Sequence, residues 1–247
     1  MNRILHASII FFCLVGALPA EEYRDVMAVQ SVLKLHTENY GAVGDKDNLN
    51  SIIIHGQQTQ DGLTGRITIH KKRPNLMRFR LEAGGVTVTT TCDGQKAWLE
   101  TRESAQVRHR DLSGRELIEV QREARFEGPL YRSLTKSKTT VSFAGKDRSG
   151  DIEVIVLRVQ KSGSTDSLHY LDVKTAYVHR VDRLNEYGEV VLQTLFRDYR
   201  LVDGYPFAHE VESRVAGELV SLTKIDSIVI NPGILSLFFS YPIKDHD

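Results

Sequence analysis

Cysteine is scarce in this chain. Cys13 and Cys92 are the only two among 247 residues. Cys13 falls in a stretch that reads as a cleaved leader, so one thiol remains and no intramolecular disulfide can staple the rest. Tryptophan is scarcer still, with Trp98 alone. Net charge is missing too, since 32 Lys and Arg stand against 32 Asp and Glu. Loss of the leader, which holds Arg3, leaves one acidic side chain in excess. That balance removes a global electrostatic case for nucleic acid. The sequence has no Gly-x-Ser-x-Gly, His-Glu-x-x-His, Cys-x-x-Cys or glycine-rich phosphate loop. "DKDNLN" from Asp45 opens like a calcium loop, but Asn50 stands where glycine belongs and Gly56 where a bidentate Glu belongs. The nine histidines follow no ligand spacing. Nothing here calls for catalysis, a metal or a cofactor.

What is present begins with an export signal over residues 1–20. Arg3 precedes an apolar run from Ile9 to Ala17, and small residues at Gly16, Ala17 and Ala20 offer cleavage after Ala17 or Ala20. The run is shorter than the roughly 20 apolar residues that span a bilayer. Export without disulfides suggests a bacterial envelope protein whose core is large enough to fold unaided. About 227 residues then remain, enough for one large β domain, expected over 21–247.

Alternation dominates that remainder. Met77, Phe79 and Leu81 alternate with Arg78, Arg80 and Glu82, and Val86, Val88 and Thr90 with Thr87 and Thr89. Period two marks strands with one apolar and one polar face. The pattern predicts strands over 51–57, 63–71, 76–82, 86–92 and 96–101, with Asp61-Gly62, Gly84-Gly85 and Asp93-Gly94 as hairpin turns. Val26, Val29, Val32, Leu33 and His36 recur at helical spacing, so 23–36 should be a helix. Ser113 with Glu116 three residues on forms a capping box. It predicts a helix over 114–125, and a short second one over 130–134. Strands resume at 139–144, 153–160, 167–172, 177–184, 190–199, 207–215 and 219–229. The fold class is therefore mainly β (α+β): about a dozen antiparallel strands, an N-terminal helix and a central helical insert.

The stretch "KKRPNLMRFRLEAGGVTVTTTCDGQKAWL" resembles the family of periplasmic carriers that ferry lipoproteins to the outer membrane, LolA and its relatives. Lys-Arg-Pro-Asn-Leu, followed by Asp-Gly-x-x-x-Trp, carries most of the likeness. "FRDYRLVDGYPFAHEVE" and "IDSIVINPGILSLFFSYP" resemble outer-membrane lipoprotein-sorting proteins. The resemblance implies an incomplete, strongly curved β-barrel covered by helices, an apolar cavity for acyl chains and no enzymatic activity. It also implies that Arg73, in Lys-Arg-Pro-Asn, latches the helical lid. One departure stands out: Trp98 is followed by Leu-Glu-Thr-Arg where the carriers run on into Asn-Pro.

The residues reach a similar place by physics. A sheet with one apolar face needs a covering layer, and two helical segments are too little cover for a dozen strands. A closed, filled β core is the alternative by pattern alone. The expected cavity wall is Ile67, Ile69, Met77, Phe79, Leu81, Val86 and Val88, with Trp98 counted beside them. Cys92 continues the Val86, Val88 and Thr90 face and reads as buried core. Lys71, Lys72, Arg73, Arg78, Arg80, Arg102, Arg108 and Arg110 are a candidate cationic rim. The expected partners are acyl chains of lipoprotein or lipid, an inner-membrane donor and an outer-membrane acceptor, with the chain a monomer. Two other readings stay open: an envelope-stress sensor that binds mislocalised lipoprotein, and a structural β domain.

Overall fold

The fold comes from a computed structural model, which describes residues 20–39, 49–125, 130, 139–161 and 165–241. The expected leader over 1–20 except Ala20, the "DKDN" of the loop from Asp45, and all of the second short helix except Leu130 lie outside them.

Thirteen strands form one antiparallel sheet. The first half is β1 (Ser51–Gln60), β2 (Leu63–Lys72), β3 (Leu76–Ala83), β4 (Val86–Cys92), β5 (Ala97–Glu103) and β6 (Gln106–Asp111). The second is β7 (Thr139–Ser149), β8 (Ile152–Lys161), β9 (Ser167–Asp172), β10 (Val178–Leu184), β11 (Val190–Val202), β12 (Tyr205–Val215) and β13 (Glu218–Ile230). The halves join where β1 pairs with β13, and β6 and β7 are left as edges. The sheet is thus an open barrel. Helix α1 (Ala20–Asn39) precedes it, and α2 (Gly114–Ala124) lies between β6 and β7 in the chain.

Turn chemistry sets the meander. Asp61-Gly62 and Gly84-Gly85 take positive φ at both residues, as a two-residue turn matched to strand twist demands. Asp93-Gly94 works differently: the Asp93 carboxylate accepts the main-chain N–H of Gln95 and Lys96 at 2.8 and 2.7 Å. The capping box does not form. Ser113 stands at the N-cap position but its hydroxyl makes no capping bond. Glu116 instead takes two hydrogen bonds from Arg110, at 2.6 and 3.0 Å. A charged fork on the neighbouring strand outcompetes a backbone N–H for the same carboxylate.

β6 is a strand that alternation does not announce. All six of its residues are exposed, so no apolar face is needed, and Arg108, His109 and Arg110 suit an edge that must not recruit another chain.

Both helices lie on one face of the sheet. Val29 and Leu33 of α1 pack with Leu130 on Ile155, Leu157, Val159 and Leu171. Leu117, Val120 and Ala124 of α2 pack on Met77, Cys92, Ala97 and Leu112. Following the paired residues from β3 round to β8 places these two clusters on the same, concave side.

The outer face has its own cover. After β13 the chain runs back beneath β2 to β5. Lys72 Nζ donates to the Ile234 carbonyl at 2.7 Å and to Ser236 Oγ at 3.1 Å. The Phe238 ring lies 4.8 Å from that of His70, with the Arg78 guanidinium 4.9 Å above it. Phe239 is fully buried, and Tyr241 meets Trp98 edge-on at 4.9 Å.

Candidate functional site

The seven expected wall residues share the concave face. Ile67 pairs with Leu81 and Ile69 with Phe79 across β2 and β3. Leu81 pairs with Val88, Ala83 with Val86, and Met77 with Cys92 across β3 and β4. Side chains directly opposite on an antiparallel pair point the same way, so one register carries all seven to one side. Ile67 and Met77 are buried, while Ile69, Phe79, Leu81, Val86 and Val88 are only half-covered. Ile54, Leu192, Phe196, Val211 and Ile228 extend the half-covered apolar surface onto β1 and β11 to β13. The two helices therefore cover parts of the concave face and leave the apolar side chains between them only half-covered.

Trp98 is a correction. It pairs with Thr91 and Asp111, one residue out of phase with Ala97 and Leu99, so it belongs to the outer face. It is 3% exposed there under Tyr241. The C-terminal strap, not a cavity, accounts for its burial.

The cationic set does not form one rim. Lys71, Arg108 and Arg110 point to the concave side, and Lys72, Arg78, Arg80 and Arg102 to the outer side. Arg80 is paired with Glu82, Arg102 with Glu100 and Arg110 with Glu116. Lys72 and Arg78 hold the strap.

Arg73 donates its Nε to the Leu49 carbonyl at 2.7 Å, and its main-chain N–H to Asn50 O at 2.9 Å. Both bonds tie it to the segment entering β1. A bond from the sheet to the end of α2 comes from Lys71, two residues earlier. Its Nζ reaches the Arg125 carbonyl at 2.8 Å, one of the acceptors a helix C-terminus leaves open. Burial pushes the Lys71 amine down to about 8, with Glu123 acting in the opposite sense. Alternation contained the clue: Lys71 is the one charged residue in phase with Ile67 and Ile69.

A second set of bonds meets α2 from the far wall. Arg183 of β10, on the concave face opposite Leu192 and Ser167, donates to Glu119 and to Glu123, each at 3.1 Å. Arg122 of α2 also pairs with Glu119. Helix α2 and the residue that follows it are thus bonded from β2 and from β10 at once. His169, on the same face, bonds Ser167 Oγ at 3.0 Å and is pushed down to about 3 by burial and by His36. It is neutral at any ordinary pH. No group of three metal-ligating side chains occurs among the described residues.

No protein-family model matches the sequence, and no curated protein sequence is significantly similar to it. Solved structures are similar in fold. An outer membrane lipoprotein-sorting protein domain from Vibrio parahaemolyticus superposes with a TM-score of 0.60 at 12% identity, covering 85% of this chain and 97% of that one. A DUF1329 family protein from Desulfovibrio piger gives 0.59 at 13% identity, covering 87% and 98%. A LolA superfamily protein from Nitrosomonas europaea gives 0.56 at 11% identity, covering 86% and 97%. The resemblance read from the sequence holds at the level of fold.

Proposed function

We propose that this protein is a periplasmic carrier of lipoproteins or lipids, which shelters acyl chains against the half-covered apolar surface between its two helices and takes part in outer-membrane lipoprotein sorting. The observation that carries the reading is the half-covered apolar surface from Ile69 and Phe79 across to Phe196 and Val211, on a sheet whose helices cover only parts of it. A stably folded protein seldom leaves a wide apolar concavity without an occupant. Burial of an acyl chain contributes about 0.8 kcal/mol per methylene, so a 16-carbon chain contributes on the order of 12 kcal/mol before costs. The fold shared with lipoprotein-sorting and LolA superfamily structures supports the same reading.

On this reading the protein is not an enzyme. It takes cargo from an inner-membrane donor and passes it to an outer-membrane acceptor. Lys71 and the latch residue Arg73 favour the closed lid and so aid release. Arg73→Leu is expected to load normally and unload poorly. Lipid mass spectrometry on protein purified from its native envelope tests the reading: stoichiometric acyl species support it, and a protein that is empty however gently purified contradicts it.

A further inference from the structure

Five of the described hairpins turn at the same end of the sheet. β1–β2 turns at Asp61-Gly62, β3–β4 at Gly84-Gly85 and β5–β6 at Ser104-Ala105. From the other half, β10–β11 turns over residues 185–189 and β12–β13 at Ala216-Gly217. Antiparallel pairing across the seam brings the two groups together. Gln60 at the end of β1 lies opposite Ser221 near the start of β13, and Gln193 of β11 opposite Arg214 of β12.

Large apolar side chains reach solvent at this end. Leu63, Val107, Tyr187, Val190, Val215 and Leu219 are exposed, each in a turn or within two residues of one. Turn chemistry asks for Gly, Asn, Asp and Ser at such tips, not for these. A single exposed leucine needs no explanation, but the parity of this set does. Leu63 is in phase with Ile67 and Ile69 on β2, Val190 with Leu192 on β11, and Val215 with Val211 on β12. Val86, which opens β4, is in phase with Val88. The concave apolar surface therefore runs out to the hairpin tips without changing face.

The opposite end of β3 to β6 is different. There Met77, Cys92, Ala97 and Leu112 lie under Leu117, Val120 and Ala124 of α2. A helix covers one end of this wall, and exposed apolar tips edge the other. The spread of the tips narrows the partner. From β6 to β10 the rim crosses ten strands, spaced about 4.8 Å apart, so it extends over roughly 43 Å of curved edge. One or two apolar side chains at each of several separated tips make no pocket for a peptide. They suit a partner that is broad, fluid and apolar just beneath its surface, and tyrosine, here Tyr187, is at home where such a surface meets water.

We propose that the end of the barrel formed by these five hairpins docks on a lipid bilayer, with its apolar tips entering the surface of one leaflet. An acyl chain then passes between bilayer and concave face along Leu63, Val86, Val190 and Val215. This rests on the acyl-carrier reading and adds to it the route by which cargo enters and leaves. A chain drawn out through water must expose its methylenes, each at a cost. A chain that slides over an apolar lip held against the leaflet stays covered. The contact is made by apolar burial, so it needs no charged lipid.

The experiment takes the full chain without its leader and measures two things: flotation with phosphatidylcholine vesicles, and affinity for a fluorescent fatty acid in solution. The wild type is expected to float with the vesicles, equally in low and high salt. Tyr187→Ser combined with Leu219→Ser should lower partition at least about tenfold, which partial burial of one leucine would supply, and leave fatty-acid affinity unchanged. Tyr187→Trp with Leu219→Met should float as the wild type does, and thermal unfolding checks that the variants fold. Leu235→Ser with Leu237→Ser is the control. These two leucines, 75% and 79% exposed on the strap, offer as much apolar surface elsewhere, and their loss should change neither measurement. Equal loss of partition from the two serine pairs overturns the placing of the contact at the hairpin end. A wild type that binds the fatty acid yet stays off vesicles overturns the docking and leaves the carrier reading standing. One that binds neither overturns both. Flotation with native envelope vesicles, but not with vesicles of the lipids extracted from them, overturns the bilayer in favour of a protein partner. Release by high salt overturns apolar entry.

Discussion

Lys71 does two things that pull against each other. Its ammonium donates to the Arg125 carbonyl and fastens the end of α2, yet burial disfavours its charge and sets its titration at about 8. An unfolded lysine titrates near 10.4. Between those two pH values the unfolded chain binds more protons than the folded one, so this group adds stability as pH rises through the window. Lys71→Met removes the buried charge and is expected to be at least as stable as the wild type at pH 7. The wild type should then gain on it as pH rises from about 8 to 10. Urea midpoints of both proteins across that range measure the difference, in which the buried Cys92 thiol, present in both, largely cancels. Parallel curves would mean that Lys71 is solvated and that the bond to α2 is incidental. Phe79 tests the wall itself. Phe79→Asp places a carboxylate on the concave face, between Ile69 on β2 and Thr90 on β4. It is expected to cost acyl binding at least tenfold, while Trp98→Phe, on the outer face, leaves binding unchanged. A fluorescent fatty acid reports both.

At the scale of elements, the barrel depends on one long-range seam, where β1 meets β13. The pairing carries a bulge between His55 and Gly56. There the two backbones approach so closely that a Cβ on Gly56 would stand 2.3 Å from the Lys224 carbonyl oxygen. Main chain cannot yield as a side chain can. Gly56→Ala is therefore expected to destabilise the fold by about 1–3 kcal/mol, and urea unfolding with an unchanged slope would measure it. A variant as stable as the wild type would show that the bulge relaxes freely. Sequence pattern was a good guide to these elements wherever a strand has one buried face. β4 and β9 fall at their expected limits. β6 did not announce itself, because an edge strand with both faces in water has no alternation to display. The capping box misled for a related reason: the sequence names an acceptor, but only the fold reveals that Arg110 reaches it first.

At the scale of the whole molecule, the apolar residues divide between two jobs, and strand parity decides which. Ile67, Ile69, Phe79, Leu81 and Val88 turn inward by register, and one-residue spacing alone was enough to group them. Trp98 was grouped with them wrongly because its neighbour across the outer face, Tyr241, lies 143 residues further along the chain, and nothing local foretells such a contact. The same holds for Arg183, which meets α2 across the open barrel from β10. On the proposed function the inward face receives acyl chains and the outward one does not. A photoreactive fatty acid with its label near the chain terminus tests this directly: bound, irradiated and mapped by peptide mass spectrometry. Adducts are expected on β2, β3 and β4 at Ile69, Phe79, Leu81 and Val88, and on Phe196 or Val211 across the concave face. Adducts confined to the outer face, at Trp98, Phe238 and the exposed Leu235 and Leu237, would contradict it.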